Sequence, residues 1–271
     1  MATPLEQTVQ LGRDRSRHLA SLLCTAVLAV FLPNGVIAEE VHRWDAPTLL
    51  TDSLSVYRKN YLLPVSWTPD DIHPKNTEVE FQISLQQRLL RSRFHVAYTQ
   101  TAFWQVYDSS NERPFREVTH NPQAFYRLER DANPFAPIAL DIGFDHTSNG
   151  QSDPESRGWD RAYLRPEYTT QRWRVGIMLW GALDRQENNE DITDFMGHHQ
   201  LEVDWYVTEK TRLSWMSRYS FSGERGAVRL RATYPSGDGY LFLQVFHGYG
   251  ESLIDYDQEL TRVGIGYSFT R

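Results

Sequence analysis

Ile138-Ala139-Leu140-Asp141-Ile142-Gly143-Phe144-Asp145-His146-Thr147-Ser148 decides the fold. Ile138, Leu140, Ile142 and Phe144 share one face of an extended strand, and Asp141 and Gly143 fall on the other. His146 and Ser148 are in phase with the apolar row. The strand therefore carries an imidazole and a hydroxyl on its greasy face, at the end where the chain turns away.

The same period of two recurs through the chain. Val79, Phe81, Ile83 and Leu85 alternate with Glu80, Gln82 and Ser84. Trp173, Val175, Ile177 and Leu179 alternate with Arg172 and Arg174, and Leu201, Val203, Trp205 and Val207 with Glu202 and Asp204. Val263, Ile265, Tyr267 and Phe269 close the series, and weaker runs lie at 57–66, 123–131, 211–221 and 239–248. The count comes to about twelve strands, so the fold class is all-β.

Two architectures put such rows to use. A soluble sandwich or barrel buries the apolar row and wets the charged one. A transmembrane antiparallel β-barrel does the reverse, with the apolar row in lipid and the polar row in the lumen. Strands of about ten residues suit a tilted membrane span. Aromatic residues near strand ends (Tyr61, Trp67, Trp104, Tyr107, Trp159, Tyr163, Trp180, Tyr206) suggest interfacial girdles. The polar rows carry both signs, among them Glu78, Glu80, Arg165, Glu167, Arg174, Glu202, Asp204 and Arg229, as a lumen filled by ion-paired side chains would. These features select the membrane barrel. Long polar connections are expected at 108–121, 149–159, 184–196 and 221–226, with short turns at 208–210 and 235–238. One detail departs from the pattern: outer-membrane barrels commonly end on an aromatic residue, and here Thr270-Arg271 follow Phe269.

The first residues read as a leader. Arg13, Arg15 and Arg17 precede an apolar run from Leu19 to Leu32, and Val36-Ile37-Ala38 offers a cleavage site before Glu39. Residues 1–38 are thus expected to be a cleaved signal peptide. Residues 39–271 would form the outer-membrane barrel with an N-terminal lead-in. Cleavage removes Cys24, the single cysteine, so no disulfide supports the fold. The mature part holds 25 bases and 33 acids, a net −8 that argues against nucleic acid as a partner.

On a membrane barrel the His146–Ser148 pair faces lipid, where polar groups need a reason. An imidazole within reach of a hydroxyl is what a general base needs to activate a serine nucleophile. On the returning strand Asp160 shares parity with Ala162 and Leu164, so direct pairing would bring it beside His146 to orient the ring. Gly150 can present its amide to an oxyanion, and Ser152, Asp153, Ser156 and backbone carbonyls offer oxygen ligands for a hard cation. Gln100, in phase with Val96, Tyr98, Ala102 and Trp104, is an amide in the lipid row that a partner barrel could satisfy.

The segment His146-Thr147-Ser148-Asn149-Gly150-Gln151-Ser152-Asp153-Pro154-Glu155-Ser156-Arg157-Gly158-Trp159-Asp160-Arg161 resembles the active-site segment of the bacterial outer-membrane phospholipase A family. Asn60-Tyr61-Leu62-Leu63-Pro64, Pro114-Phe115-Arg116-Glu117 and Tyr249-Gly250-Glu251-Ser252-Leu253-Ile254-Asp255-Tyr256 extend the resemblance over nearly the whole mature chain. It implies a twelve-stranded barrel in the outer membrane of a Gram-negative bacterium, with its site on the outer wall toward the outer leaflet. It implies a calcium-dependent serine hydrolase of A1/A2 and lysophospholipase type, active as a homodimer. Carried over, Ser148 is the nucleophile, His146 the base and Gly150 an oxyanion donor. Ser156 and the Gln151 carbonyl would ligate Ca2+, and Gln100 would sit at the dimer interface. Two positions depart from the family pattern. Asp160 stands where the family has asparagine, and Glu112 stands where it has the serine that ligates calcium from the partner subunit.

Two other readings compete. A non-enzymatic porin-like barrel needs an open lumen, and a soluble β-barrel hydrolase would bury His146 and Ser148 with the apolar row.

Overall fold

A computed structural model describes residues 54–70, 73, 75–129, 138–185 and 187–270. The expected leader, 1–38, and the lead-in as far as residue 53 lie outside the described residues.

Among the described residues thirteen strands run in antiparallel order. They are β1 (Leu54–Val56), β2 (Tyr61–Trp67), β3 (Thr77–Arg88), β4 (Phe94–Trp104), β5 (Phe115–Glu129), β6 (Ile138–Ser148), β7 (Gly158–Thr169), β8 (Trp173–Arg185), β9 (His199–Tyr206), β10 (Arg212–Ser220), β11 (Arg225–Ser236), β12 (Gly239–Gly248) and β13 (Leu260–Ser268). Each of β3 to β13 pairs with its sequence neighbours, and β13 pairs back onto β2, which closes the barrel. β1 and β2 both pair with β3, at Leu85–Gln87 and at Thr77–Gln82 respectively. They therefore act as one interrupted strand, and the closed wall has twelve positions. Closure leaves no open strand edge among the described residues, as a wall in lipid requires.

The rows face as the membrane reading requires. Ile142 and Phe144 are 44% and 42% exposed, while Asp141 and Asp145 on either side of them are 4% and 0%. Glu78, Glu80, Gln82, Ser84 and Asp204 are likewise buried, and Ile83, Leu164, Leu179, Trp215 and Ile265 are exposed. This inversion overturns the soluble-hydrolase reading.

Paired charges line the inner wall, most of them joining adjacent strands. Arg161 grips Asp145 at 2.8 Å, Arg127 grips Asp141 at 2.7 Å, and Arg174 bridges Asp204 at 2.7 Å and Glu167 at 3.0 Å. Toward the long-loop end Glu78 accepts from Arg116 at 2.8 Å and forms an ion pair with Arg262 at 2.7 Å. A cavity of about 1750 Å³ remains inside, lined by such groups as Arg165, Arg174, Glu202 and Asp204.

Two expectations are corrected. Four of the supposed girdle residues, Tyr61, Trp159, Tyr163 and Trp180, are buried, because each lies on the lumen parity of its strand. Trp159, Tyr163 and Trp180 belong to an apolar cluster with Phe125, Ile192, Phe195, Leu253 and Tyr256 that fills the long-loop end of the barrel. Trp173, Tyr168, Trp215, Tyr219 and Tyr234 are among the aromatics exposed on the wall instead. The expected loop 108–121 ends at Pro114, and Phe115–Asn121 is already strand. The outward row of β5 runs through Val118, His120 and Pro122, which hides its alternation.

Candidate active site

Register makes the site. His146 is paired directly with Asp160, and Ser148 with Gly158. Sheet pairing alone would tolerate a slip, and a one-residue slip would turn Asp160 to the lumen. The inner face prevents it. Asp145 and Arg161, also a cross-strand pair, join by two parallel hydrogen bonds of 2.8 and 2.9 Å. Arg161 is held in turn over the Trp159 and Trp180 rings, 4.4 and 5.2 Å from their centroids. A bidentate pair specifies geometry as well as energy. The ion pair inside the barrel thus sets which two side chains meet outside it.

A polar chain behind the strand adds support. Asn121 donates through Nδ2 to the His146 carbonyl at 2.9 Å and to Thr147 Oγ1 at 2.7 Å. Gln123 donates to Asn121 and accepts from the Tyr57 hydroxyl at 2.9 Å. Gly143 gives these neighbours room, since a Cβ there would lie 2.6 Å from Phe125 Cβ.

On the outer face His146 Nδ1 donates to Asp160 Oδ1 at 2.6 Å. That bond leaves Nε2 for a substrate-side proton. Ser148 lies two residues along the same face, half-buried, and no hydrogen bond among the described residues engages its hydroxyl. The arrangement is a nucleophile, a base and an orienting acid on one patch of wall. The large cavity lies behind it: Thr147, Trp159 and Arg161 line that cavity, and His146, Ser148 and Asp160 do not.

The loop leaving Ser148 is organised by a buried asparagine. Asn149 Nδ2 donates to the Glu155 carbonyl at 2.8 Å, and its Oδ1 accepts from the amides of Arg157 and Gln151 at 2.9 and 3.3 Å. Asn189 clamps the other side, exchanging two 3.0 Å bonds with the backbone of Gly158. Gly150 turns the chain out of the strand at φ +66°, a conformation that costs glycine nothing.

Among the described residues no three His, Cys, Asp or Glu side chains converge on a metal. The expected donors differ in kind: the Ser156 hydroxyl and the Gln151 carbonyl on this loop, and the Glu112 carboxylate on the loop between β4 and β5. All are hard oxygen donors of the type calcium takes, and three are fewer than its usual six to eight. Glu112 is exposed at φ +57°, beside an Asp108 that Ser110 and Asn111 hold with side-chain hydrogen bonds. Those bonds keep the Asp108 carboxyl below its ordinary range. No hydrogen bond or ion pair among the described residues joins Glu112 to the Ser156 loop.

Gln100 lies half-buried on the outer wall. Its Oε1 lies 3.2 Å from the Tyr98 hydroxyl.

One neighbour was not foreseen. His120 is paired with Ser148 on one side and with Gln100 on the other, so Gln100, His120, Ser148 and Gly158 form a row across four strands. The Tyr98 hydroxyl meets His120 Nδ1 at 2.6 Å.

The phospholipase A1 family model matches residues 42–269. Phospholipase A1 of Klebsiella pneumoniae is 35% identical over 280 residues, covering 91% of this chain and 96% of the relative. Phospholipase A1 of Escherichia coli K12 is 34% identical over 273 residues, covering 97% and 93%. Two solved structures superpose at TM-score 0.74 and 32% identity. Escherichia coli outer membrane phospholipase A covers 79% of this chain and 93% of its own. The Salmonella typhi outer membrane phospholipase dimer with bound calcium covers 81% and 93%.

Proposed function

The chain belongs to the phospholipase A1 family, and on that premise we propose that it is a calcium-dependent outer-membrane hydrolase of phospholipid acyl esters. Ser148 Oγ attacks the ester carbonyl as His146 Nε2 takes its proton. Asp160 holds the ring through Nδ1–H and stabilises the imidazolium that forms. The Gly150 amide donates to the carbonyl oxygen as it becomes an oxyanion. His146 then protonates the departing alkoxide. Water, activated by the same imidazole, attacks the acyl-serine, releases the fatty acid and restores Ser148.

The residues expected to hold calcium are Ser156 and the Gln151 carbonyl, with Glu112 supplied by a second copy. Bound there, the ion would add positive charge beside the developing oxyanion. The sparse donor set of one chain is the reason for proposing a homodimer, with Gln100 at its interface. The site stands at the end of the barrel that carries the long loops, which in outer-membrane barrels is the external end. The substrate would therefore come from the outer leaflet. Residues 1–38 act in this reading as the export leader.

One observation carries the proposal: the 2.6 Å His146–Asp160 hydrogen bond lies on the lipid-facing wall, in phase with Ser148. The test is fatty-acid release by refolded protein in detergent, with calcium or with chelator, for wild type and Ser148→Ala. Loss of turnover in the variant and in chelator is expected. Unchanged turnover in Ser148→Ala sinks the mechanism.

A further inference from the structure

Ser148 has two histidines beside it, and only one belongs to the pair with Asp160. His146 lies two positions along the same strand. His120 lies directly across the ladder, at the separation where cross-strand Cβ atoms stand about 5 Å apart. Their partners distinguish them. His146 has a carboxylate on Nδ1, the arrangement of a general base. His120 has a phenol there instead.

The His120 ring spans from the Gln100 region to the nucleophile. Its Nδ1 edge meets Tyr98, whose hydroxyl also contacts Gln100. Its other edge faces the turn after Ser148: a Cβ placed on Gly150 would lie 3.7 Å from His120 Cδ2 and 3.8 Å from Nε2. The Tyr98 hydroxyl has one proton and two neighbours. His120 Nδ1, at 2.6 Å, is the nearer, and Gln100 Oε1 is at 3.2 Å. Donation to Nδ1 leaves the ring proton on Nε2, facing Gly150. An imidazole in a lipid-facing row with one nitrogen satisfied needs a partner for the other.

We propose that His120 is a second oxyanion donor: its Nε2–H, held in that tautomer by Tyr98, converges with the Gly150 amide on the carbonyl oxygen of the ester attacked by Ser148. The proposal rests on the reading of Ser148 as nucleophile and Gly150 as donor. It assigns the two histidines different tasks. His146 moves the proton, and His120 keeps its own and stabilises charge. It also gives the Gln100 region a route to the chemistry. When the Gln100 carbonyl is taken by another amide, the Tyr98 proton is left to His120.

Four variants at two positions, with Ser148→Ala as reference, test it on dilauroylphosphatidylcholine in mixed micelles with calcium. His120→Phe should lower kcat about a hundredfold, the scale of a lost oxyanion donor, with KM within twofold. Phenylalanine suits the lipid-facing row, so the barrel should fold, and retarded heating-dependent gel migration checks this. His120→Gln places an amide N–H near the position of Nε2 and should recover most of the loss. His120→Asn reaches Tyr98 but not Gly150 and should not recover it. Tyr98→Phe frees the tautomer and should fall between. Wild-type kcat in His120→Phe, with Ser148→Ala inactive, overturns the donor and leaves the nucleophile standing. Rescue by Asn and not by Gln also overturns it, by assigning His120 to the Tyr98–Gln100 contact. Activity in Ser148→Ala overturns the reading beneath.

Discussion

Asp160→Asn and Asp160→Ala separate two things the aspartate does for His146. In the transition state the imidazole becomes positive, and the carboxylate lies within hydrogen-bond distance of it. Two unit charges about 4 Å apart attract by about 1 kcal/mol in water and about 4 kcal/mol near a protein surface. The His146 and Asp160 side chains are 42% and 31% exposed, so a value between these limits applies, about 2 kcal/mol. Asparagine keeps an acceptor for Nδ1–H and loses the charge. Asp160→Asn should therefore lower kcat by about thirtyfold, with little change in KM. Alanine also releases the ring from its hydrogen bond, worth a further 1 to 2 kcal/mol, roughly, so Asp160→Ala should fall several-hundredfold. The assay is calcium-dependent fatty-acid release under substrate saturation, with gel mobility as the check on folding. Wild-type activity in Asp160→Asn would remove the charge from the account, and equal activity of the two variants would remove the hydrogen bond. More than half of wild-type activity in Asp160→Ala would remove Asp160 from the mechanism altogether.

Three further outcomes follow from the same structure. Asp145→Ala leaves Arg161 inside the wall without its carboxylate and should cost roughly 3 kcal/mol in urea unfolding from detergent. Replacing both partners by methionine should restore part of it. Burial, with the Arg116 guanidinium facing it, lowers His73 to about 4. The other charged groups around it are Asp255, Arg262 and Glu78. Below pH 6.5 the unfolded chain takes up a proton that the folded one refuses. Stability should therefore fall by an amount on the order of 2 kcal/mol as pH drops from about 6.5 to about 4, and His73→Gln should flatten that slope in urea titrations at fixed pH. Glu112→Gln should raise the calcium concentration for half-maximal activity by on the order of tenfold, and an unchanged midpoint would remove Glu112 from the ligand set.

The barrel was legible because lipid imposes a strict period on every strand. Ile142 and Phe144 outside, with Asp141 and Asp145 inside, follow from parity alone. Parity also brought Asp160 to His146, since antiparallel pairing across one loop preserves the face. What parity could not supply was anything depending on a third strand. His120 stayed hidden because β5 interrupts its apolar row with His120 and Pro122, and because its neighbour Ser148 lies 28 positions on. The interior was legible only as composition. Trp159 and Trp180 look like girdle residues until the lumen parity of each is applied. Tyr57, whose hydroxyl helps hold the site strand through Gln123, opens one of the weaker runs, where the period says little about its contacts. Gln100 was read as an amide on the wall, but its approach to the Tyr98 hydroxyl follows from rotamers, which no periodicity encodes.

The proposed catalytic pair and the large cavity occupy opposite faces of one sheet, and that changes what concentration means for this enzyme. A site on an outward wall has no vestibule to fill from solution. In the proposed mechanism its substrate arrives by lateral diffusion, already oriented, from a layer one molecule thick. The natural variable is therefore mole fraction in the surrounding leaflet. Diluting phospholipid with inert amphiphile at fixed bulk concentration should slow turnover, while adding buffer to intact vesicles should leave the rate per enzyme unchanged.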